Sequence, residues 1–218
     1  MPRSDSYAGY RAKLVEAVRQ NGIRDLAVLR AVGEVPRHLF VPPALQRQAY
    51  EDTALPIGSG QTISQPSTQA RALEALRLTG REKVLEVGTG SGYQTALLAM
   101  VAGQVFSVER VAALAERARA ALAEAGIGNV SVMVGDGTLG WRAYAPYEAM
   151  VVAAATREVP RPLLEQLAPG GRILLPLGPR ESQVLTLVTV NADGTTNAQP
   201  LAGARFVPLR GTHGFTDA

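Results

Sequence analysis

No cysteine occurs in the 218 residues. That absence removes a disulfide framework, a thiolate nucleophile and the ligands zinc favours. Lysine is nearly missing too, with Lys13 and Lys83 the two lysines in a chain of 22 basic residues. Aromatic residues make up 5% and nowhere interleave with arginine, so the net charge of +3 reads as a dispersed, solvated surface and not as a nucleic-acid footprint. No apolar run approaches the roughly 20 residues that span a bilayer. Met1-Pro2-Arg3-Ser4-Asp5 lacks the apolar h-region of a signal peptide. These absences set the expectation of a cytoplasmic protein with no membrane and no nucleic-acid partner. A chain of this length with 46% apolar residues is expected to form one domain around a full core.

What is present centres on Lys83-Val84-Leu85-Glu86-Val87-Gly88-Thr89-Gly90-Ser91-Gly92-Tyr93-Gln94. A buried-strand run leads into three glycines at every second position and then into a helix-compatible run from Thr95 to Ala102. Strand, glycine turn and helix in that order form a nucleotide-type binding loop, because glycine lets backbone approach a ligand and turn sharply. A dinucleotide loop of the G-x-G-x-x-G/A kind would want its third small residue at Tyr93. It would also keep fixed negative charge away from the pyrophosphate. Here Glu86 stands two residues before the first glycine, which suits a cationic ligand such as the sulfonium and ammonium of S-adenosylmethionine. Glu109, closing Val105-Phe106-Ser107-Val108, fits the acid that holds ribose hydroxyls in either ligand class.

Along the chain, residues 6–32 read as helical with a break at Asn21-Gly22. Val35 to Pro43 reads as an extended, proline-punctuated connector holding His38, and a short helix is expected over Ala44 to Tyr50. Leu55 to Pro66 is too polar for core and too specific in texture for a linker. A helix follows from Ser67 to Leu78, ending at Gly80, with Pro66 in its first turn and Ser64 or Gln65 as cap. From Lys83 the pattern alternates, with strands at 83–88, 105–109, 130–134, 147–153 and 172–177 and helices at 93–102, 111–125 and 160–167. Such alternation predicts a mainly parallel sheet covered on both faces, with the ligand over the carboxyl ends of its strands. Gly88, Glu109 and Gly135-Asp136-Gly137 all fall at those ends, and Asp136 is placed to accept from an adenine amino group or simply to form a turn. Val184 to Val190 and Leu201 to Leu209 read as a closing hairpin around Asn191-Ala192-Asp193-Gly194.

Exclusion narrows the acceptor. Methylation of a cytosine carbon needs a cysteine, and amino methylation of nucleic acids uses an Asn/Asp-Pro-Pro-Tyr-like turn where this chain has Val152-Ala153-Ala154-Ala155-Thr156. The carboxylate and histidine cluster of metal-assisted hydroxyl methylation is missing from the same turn. A small, apolar rim without a base suits an acceptor that is already ionised, such as a carboxylate with pKa near ~4. Catalysis would then consist of alignment and removal of water, with a hydroxyl such as that of Ser64 holding the carboxylate. Ser64 as a helix cap is the competing reading.

The segments V-P-R-H-L-F-V-P, A-L-P-I-G-S-G-Q-T-I-S-Q-P, V-L-E-V-G-T-G-S-G-Y-Q-T-A, G-D-G-T-x-G-W, Q-L-x-P-G-G-R-I-L-L-P-L-G and R-F-V-P-L run from about Val35 to Leu209. Through them the chain resembles the bacterial protein-L-isoaspartate O-methyltransferases. The glycine loop is shared by many methyltransferases, whereas L-P-I-G-x-G-Q-T-I-S-Q-P is close to diagnostic. The resemblance implies a Rossmann-like α/β methyltransferase fold with a mostly parallel seven-stranded sheet, whose last strands are ordered unlike those of most methyltransferases. It implies an N-terminal helical, acceptor-side segment (1–79), a cofactor core (80–180) and C-terminal antiparallel strands (181–218). The implied activity is methyl transfer from S-adenosyl-L-methionine to the α-carboxylate of isoaspartyl residues in damaged proteins, after which the ester closes to a succinimide. The implied catalytic residue is Ser64. Implied cofactor contacts are Gln61, Thr62, Ile63, Glu86, Gly88, Thr89, Gly90, Ser91, Gly92, Glu109, Arg110, Asp136 and Gly137, with no metal and a monomeric enzyme. Two departures stand out: Ser67-Thr68-Gln69 replaces the usual His or aromatic followed by Met or Ile, and Arg157 stands where a small residue or proline is common. Both are expected to spare the donor site. Another carboxylate acceptor, or a cofactor-binding protein without catalysis, are the alternatives.

Overall fold

The computed structural model describes residues 6–215, so the reading of Met1 to Asp5 lies outside the described residues. The expected helical N-terminus forms as α1 (Ala8–Gln20) and α2 (Leu26–Glu34), parted at Asn21-Gly22. The Asp25 side chain caps α2, accepting from the Ala27 and Val28 N–H groups at 2.8 and 3.3 Å. The connector after Val35 is not wholly extended. Arg37–Phe40 winds into one 3-10 turn, and the helix expected near Ala44 is a second, Pro43–Gln48. Prolines at 36, 42 and 43 supply no N–H, which keeps both turns short.

The polar stretch that follows is a small antiparallel hairpin, β1 (Leu55–Gly58) and β2 (Gln61–Ile63). Next comes α3 (Pro66–Leu76), with Pro66 in its first turn. Gln65 occupies the cap position but makes no side-chain capping bond, and Ser64 lies outside the helix. The helix stops before Leu78 because Arg77 turns left-handed, at φ 47°.

Then come β3 (Lys83–Val87), α4 (Tyr93–Val101), β4 (Gln104–Glu109), α5 (Ala112–Glu124), β5 (Val130–Val134), β6 (Tyr147–Val152), α6 (Arg161–Leu164), β7 (Leu167–Leu177), β8 (Gln183–Val190) and β9 (Thr196–Ala204). Seven of the strands form one sheet in the order β5-β4-β3-β6-β7-β8-β9. The pairs from β5 to β7 are parallel, and β8 and β9 add antiparallel in chain order. Two expectations shift. The helix placed at 160–167 is only Arg161–Leu164, because β7 starts early, with Leu167 opposite Tyr147 across an irregular register. The last strand ends at Ala204 and not at Leu209. The turn closes with Asn191 N–H donating to Thr195 O at 2.8 Å, so pairing resumes at once with Thr196 opposite Val190. Residues 196–200 lie exposed on an edge strand, which explains why no apolar alternation marks them.

Strand side chains alternate between the two faces of the sheet. On β3, Val84 joins the core shared with α1 to α5, through residues such as Leu14, Val32, Leu73, Leu97 and Leu122. Leu85 and Val87 face the other side, where α6 supplies Leu163. There Phe106 stacks on Tyr144 at 4.2 Å, with Trp141 and Tyr147 at its edges. Among the described residues no helix is long and apolar enough to cross a membrane.

Candidate active site

The strand order reverses at β3, with β4 on one flank and β6 on the other, and this opens a crevice over their carboxyl ends. A solvent-open cleft occupies it. The strand ends contribute Gly88 to Ser91, Glu109 and Arg110, Gly137, and Ala153-Ala154. Gln61, Thr62, Ile63 and Ser64 from the hairpin form an opposing wall. The hairpin is held in place by Arg117 of α5, whose Nη2 donates to Ile57 O at 2.9 Å. Of the residues expected at the site, Glu86, Gly92 and Asp136 stand behind the lining and not in it.

Each of those three has a physical reason for its position. Glu86 shares the face of Val84, so the period-two alternation turns it under the glycine loop toward α4. It is fully buried, and its Oε2 accepts from Ser107 Oγ at 2.7 Å and from Thr95 Oγ1. The Gln94 amide lies against the same carboxylate. Burial pushes its pKa up to about 7, against the opposing pull of Thr95, Ser107 and Gln94. Gly92 begins α4 at φ 88°, and a Cβ there would sit 3.1 Å from that of Ala118, so this glycine packs the loop against α5. Asp136 is turned away from the cleft. Its Oδ1 accepts from Thr138 N and Oγ1 at 2.9 and 2.6 Å, and its Oδ2 from Thr212 N and Oγ1 at 2.7 and 2.8 Å. Burial would raise its pKa, but the bonds from Thr138 and Thr212 outweigh that and hold it below the ordinary carboxylate value. The carboxylate expected to meet an adenine amino group is therefore engaged within the protein.

Glu109 does face the cleft. Its Oε2 accepts from Gly90 N–H at 2.8 Å and its Oε1 from Val111 N–H at 2.9 Å. A carboxylate oxygen has more than one acceptor direction, so both retain capacity toward a ligand. The same contact draws the glycine loop onto the end of the second strand. Gly137 supplies backbone alone to the cleft floor, since a Cβ there would fall 2.5 Å from Val87 Cγ1.

Ser64 stands at the junction of this cleft and a second groove, and Thr62 and Ser64 line both. Arg37 and Asp52 hold the segment. The Arg37 guanidinium is fully buried, donating from Nη1 to Ala49 O at 2.6 Å and from Nη2 to Thr53 O and Ser64 O at 3.1 Å each. It also lies over the Tyr93 ring at 5.4 Å. Asp52 Oδ1 accepts from Ser67 N–H at 2.8 Å, and its Oδ2 from Gln65 Nε2 at 3.0 Å. So the start of α3 is capped by Asp52, which leaves Ser64 out of capping.

Several lining residues were not anticipated. Gln69 and Gln94 are buried along the cleft; Gln69 Oε1 is unpartnered, whereas the Gln94 amide lies against the Glu86 carboxylate. Gln69 corrects the expectation that the Ser67-Thr68-Gln69 departure spares the donor side. Thr68 lines the second groove instead, and Arg157 is exposed, lying over the Phe215 ring at 5.5 Å. Val207 to Arg210 form a further wall, because the chain leaves the sheet after Ala204 and crosses its end. Leu209 N–H donates to Ala155 O at 2.7 Å and Ala155 N–H to Val207 O at 2.8 Å. Pro208, which disfavours a central strand, was the signal available for this path.

The cleft offers a glycine cradle, the Glu109 carboxylate and the unsatisfied Gln69 amide oxygen. Over a β5-β4-β3-β6-β7 parallel core, this constellation defines a Rossmann-like, S-adenosylmethionine-dependent methyltransferase. The family model described as protein-L-isoaspartate(D-aspartate) O-methyltransferase matches residues 10–214. The chain belongs to that family. It is 52% identical over 206 residues to the protein-L-isoaspartate O-methyltransferase of Methanoculleus marisnigri, covering 94% of this chain and 93% of the relative. With the protein-L-isoaspartate O-methyltransferase 1 of an Anaeromyxobacter species it shares 56% over 205 residues, covering 93% and 97%. A solved protein-L-isoaspartate O-methyltransferase superposes with a TM-score of 0.84 at 30% identity, covering 94% of this chain and 67% of that one. A Plasmodium falciparum structure assigned to the same activity, in complex with S-adenosyl-L-homocysteine, gives 0.79 at 25% identity over 92% and 98%.

Proposed function

We infer that the protein is an S-adenosylmethionine-dependent carboxyl O-methyltransferase that methylates the α-carboxylate of isoaspartyl residues in proteins and peptides. The observation that carries this reading is the position of Ser64, which lines both the glycine-loop cleft and the second groove. A donor in the first and an acceptor in the second would meet at its hydroxyl.

The residues present fit the cofactor. Gly88 to Ser91 and Gly137 offer close backbone approach, Glu109 retains acceptor capacity for ribose hydroxyls, and Gln69 holds a free acceptor. Bound S-adenosylmethionine supplies an electrophilic methyl group on its sulfonium. The chain's own work is then to place a carboxylate oxygen in line with that group. An isoaspartyl carboxylate is ionised at neutral pH, so no base is required, in keeping with the apolar Ala153-Ala154 rim. The Ser64 hydroxyl donates to the carboxylate and orients it, and the Ile63 and Leu209 walls help exclude water from the attacking oxygen.

Methyl transfer to an isoaspartyl peptide and to its aspartyl twin tests the reading. Label is expected on the isoaspartyl peptide alone. Label on both would make the enzyme a general carboxyl methyltransferase, and cofactor binding without label would make it a binding protein. Ser64→Ala should lower turnover about ten- to a hundredfold, the scale of one hydrogen bond to a charged group, with cofactor affinity nearly unchanged. Unaltered turnover would remove Ser64 from the mechanism.

A further inference from the structure

The second groove carries charge of one sign. Its floor is Leu185 and Phe206, its donor-side end is Thr62 and Ser64, and two arginines, Arg71 and Arg205, line it without any acidic residue. Both arginines are exposed. Arg71 lies on α3, where its one bond, Nη2 to Asn21 O at 3.1 Å, engages a neutral carbonyl and leaves its charge uncompensated. Arg205 makes no ion pair among the described residues. It is nonetheless presented by an anchored backbone. The next residue, Phe206, donates its N–H to Gln183 Oε1 at 2.9 Å, and Gln183 Nε2 donates in turn to Pro179 O and Arg180 O at 2.6 and 2.9 Å.

The groove opens from Ser64, so an acceptor chain whose isoaspartyl carboxylate reaches that hydroxyl has room to lay neighbouring residues along it. We propose that Arg71 and Arg205 select acceptor segments with acidic side chains beside the isoaspartyl residue. This assignment rests on the methyltransferase reading above and specifies its substrate class. Charge complementarity is the argument: two uncompensated guanidiniums beside an apolar floor attract a carboxylate and repel a lysine. Both arginines are solvent-exposed, so each contributes through encounter and modest pairing, and salt weakens the effect.

The test uses three isoaspartyl peptides blocked at both termini, identical except for Glu, Gln or Lys at the positions flanking the isoaspartate. Labelled methyl transfer is followed with saturating S-adenosylmethionine. KM is expected to rise from Glu to Gln to Lys, with about two- to fivefold between the extremes for each arginine, and the spread should narrow at high salt. Arg205→Gln should compress the spread, and Arg71→Gln added to it should compress it further. Equal KM for the three peptides in the unaltered enzyme would overturn the proposal, as would a spread that both variants leave intact. A uniform rise in KM for all three in Arg205→Gln would assign that residue to the acceptor carboxylate and also overturn it. Failure to methylate any of them while cofactor binds would overturn the methyltransferase reading itself, and this assignment with it.

Discussion

At the scale of the residue, Glu86 and Glu109 show how two acids near one loop come to do different work. Glu86 is fully buried, and burial carries its pKa from 4.5 to about 7. Below pH 4.5 it is protonated whether or not the chain is folded. Between that value and about 7 the folded protein keeps a proton that the unfolded chain releases, so stability falls as pH rises, and above 7 the loss is complete. The displacement corresponds to about 3 kcal/mol. Glu86→Gln removes this titration. Urea denaturation across pH 5 to 8 should therefore show the variant gaining stability over the unaltered protein as pH rises, and parallel curves would contradict the assignment. Glu109 is instead bonded to backbone N–H groups on both oxygens while facing the cleft. Glu109→Ala frees the Gly90 and Val111 N–H groups and removes the acceptor proposed for the ribose. Cofactor affinity by calorimetry should drop by roughly 1–3 kcal/mol, the range for an unmade bond to a charged group. Unchanged affinity would place the ribose elsewhere.

At the scale of the element, the C-terminal segment after β9 is tied to the end of β5 by one carboxylate, beside its backbone bonds to Ala155 and the Gln183 bond at Phe206. Asp136 receives four bonds, two from Thr138 and two from Thr212, and His213 N–H reaches Thr138 Oγ1 at 3.1 Å. This links the third strand end to the wall formed by Val207 to Arg210. In Asp136→Ala, amide hydrogen exchange should accelerate over 205–215 with the sheet still protected, and global stability should fall by roughly 1–3 kcal/mol. Protection equal to that of the unaltered chain would show the wall to be held by other means. The same segment marks the limit of what the sequence conveys. The strand, glycine turn and helix around Gly88 were legible because they are local: a buried run, three glycines and a helical run are adjacent in the chain. The path of residues 205–209 was not, since an apolar run with a proline looks like a strand until its partner, Ala155, is known. Asp136 was correctly placed at a strand end, but its neighbours Thr138 and Thr212 lie on segments that meet only in the fold. Ser64 could be singled out through its T-I-S-Q-P setting, whereas its junction between two grooves depends on β8 and β9.

At the scale of the whole molecule, the N-terminal segments and the methyltransferase core are joined through Arg37. Its guanidinium bonds the carbonyls of Ala49, Thr53 and Ser64 and lies over Tyr93, the first residue of α4 after the glycine loop. A reading of Val35 to Pro43 as a connector gave no reason to bury a charge there, because three backbone acceptors from separate segments cannot be inferred from spacing. Burial alone would lower the arginine's pKa, and the nearby Tyr93 and Asp52 partly offset that. Two nitrogens of one planar fork thus serve three carbonyls, a geometry that a lysine ammonium does not reproduce. Arg37→Met keeps volume but leaves the three carbonyls without this donor, and should lower stability by about 3 kcal/mol or more. Arg37→Lys should recover part of it. Because the Ser64 carbonyl is one of the three, turnover should fall in both variants while the cofactor, which the proposed site holds mainly at strand ends the arginine does not touch, binds nearly as before. Chemical denaturation, methyl transfer and calorimetry on the same two variants separate these effects. A cofactor affinity that falls in step with turnover would show the N-terminal segments to support the donor cleft as a whole, and would remove Arg37 as the residue that positions Ser64.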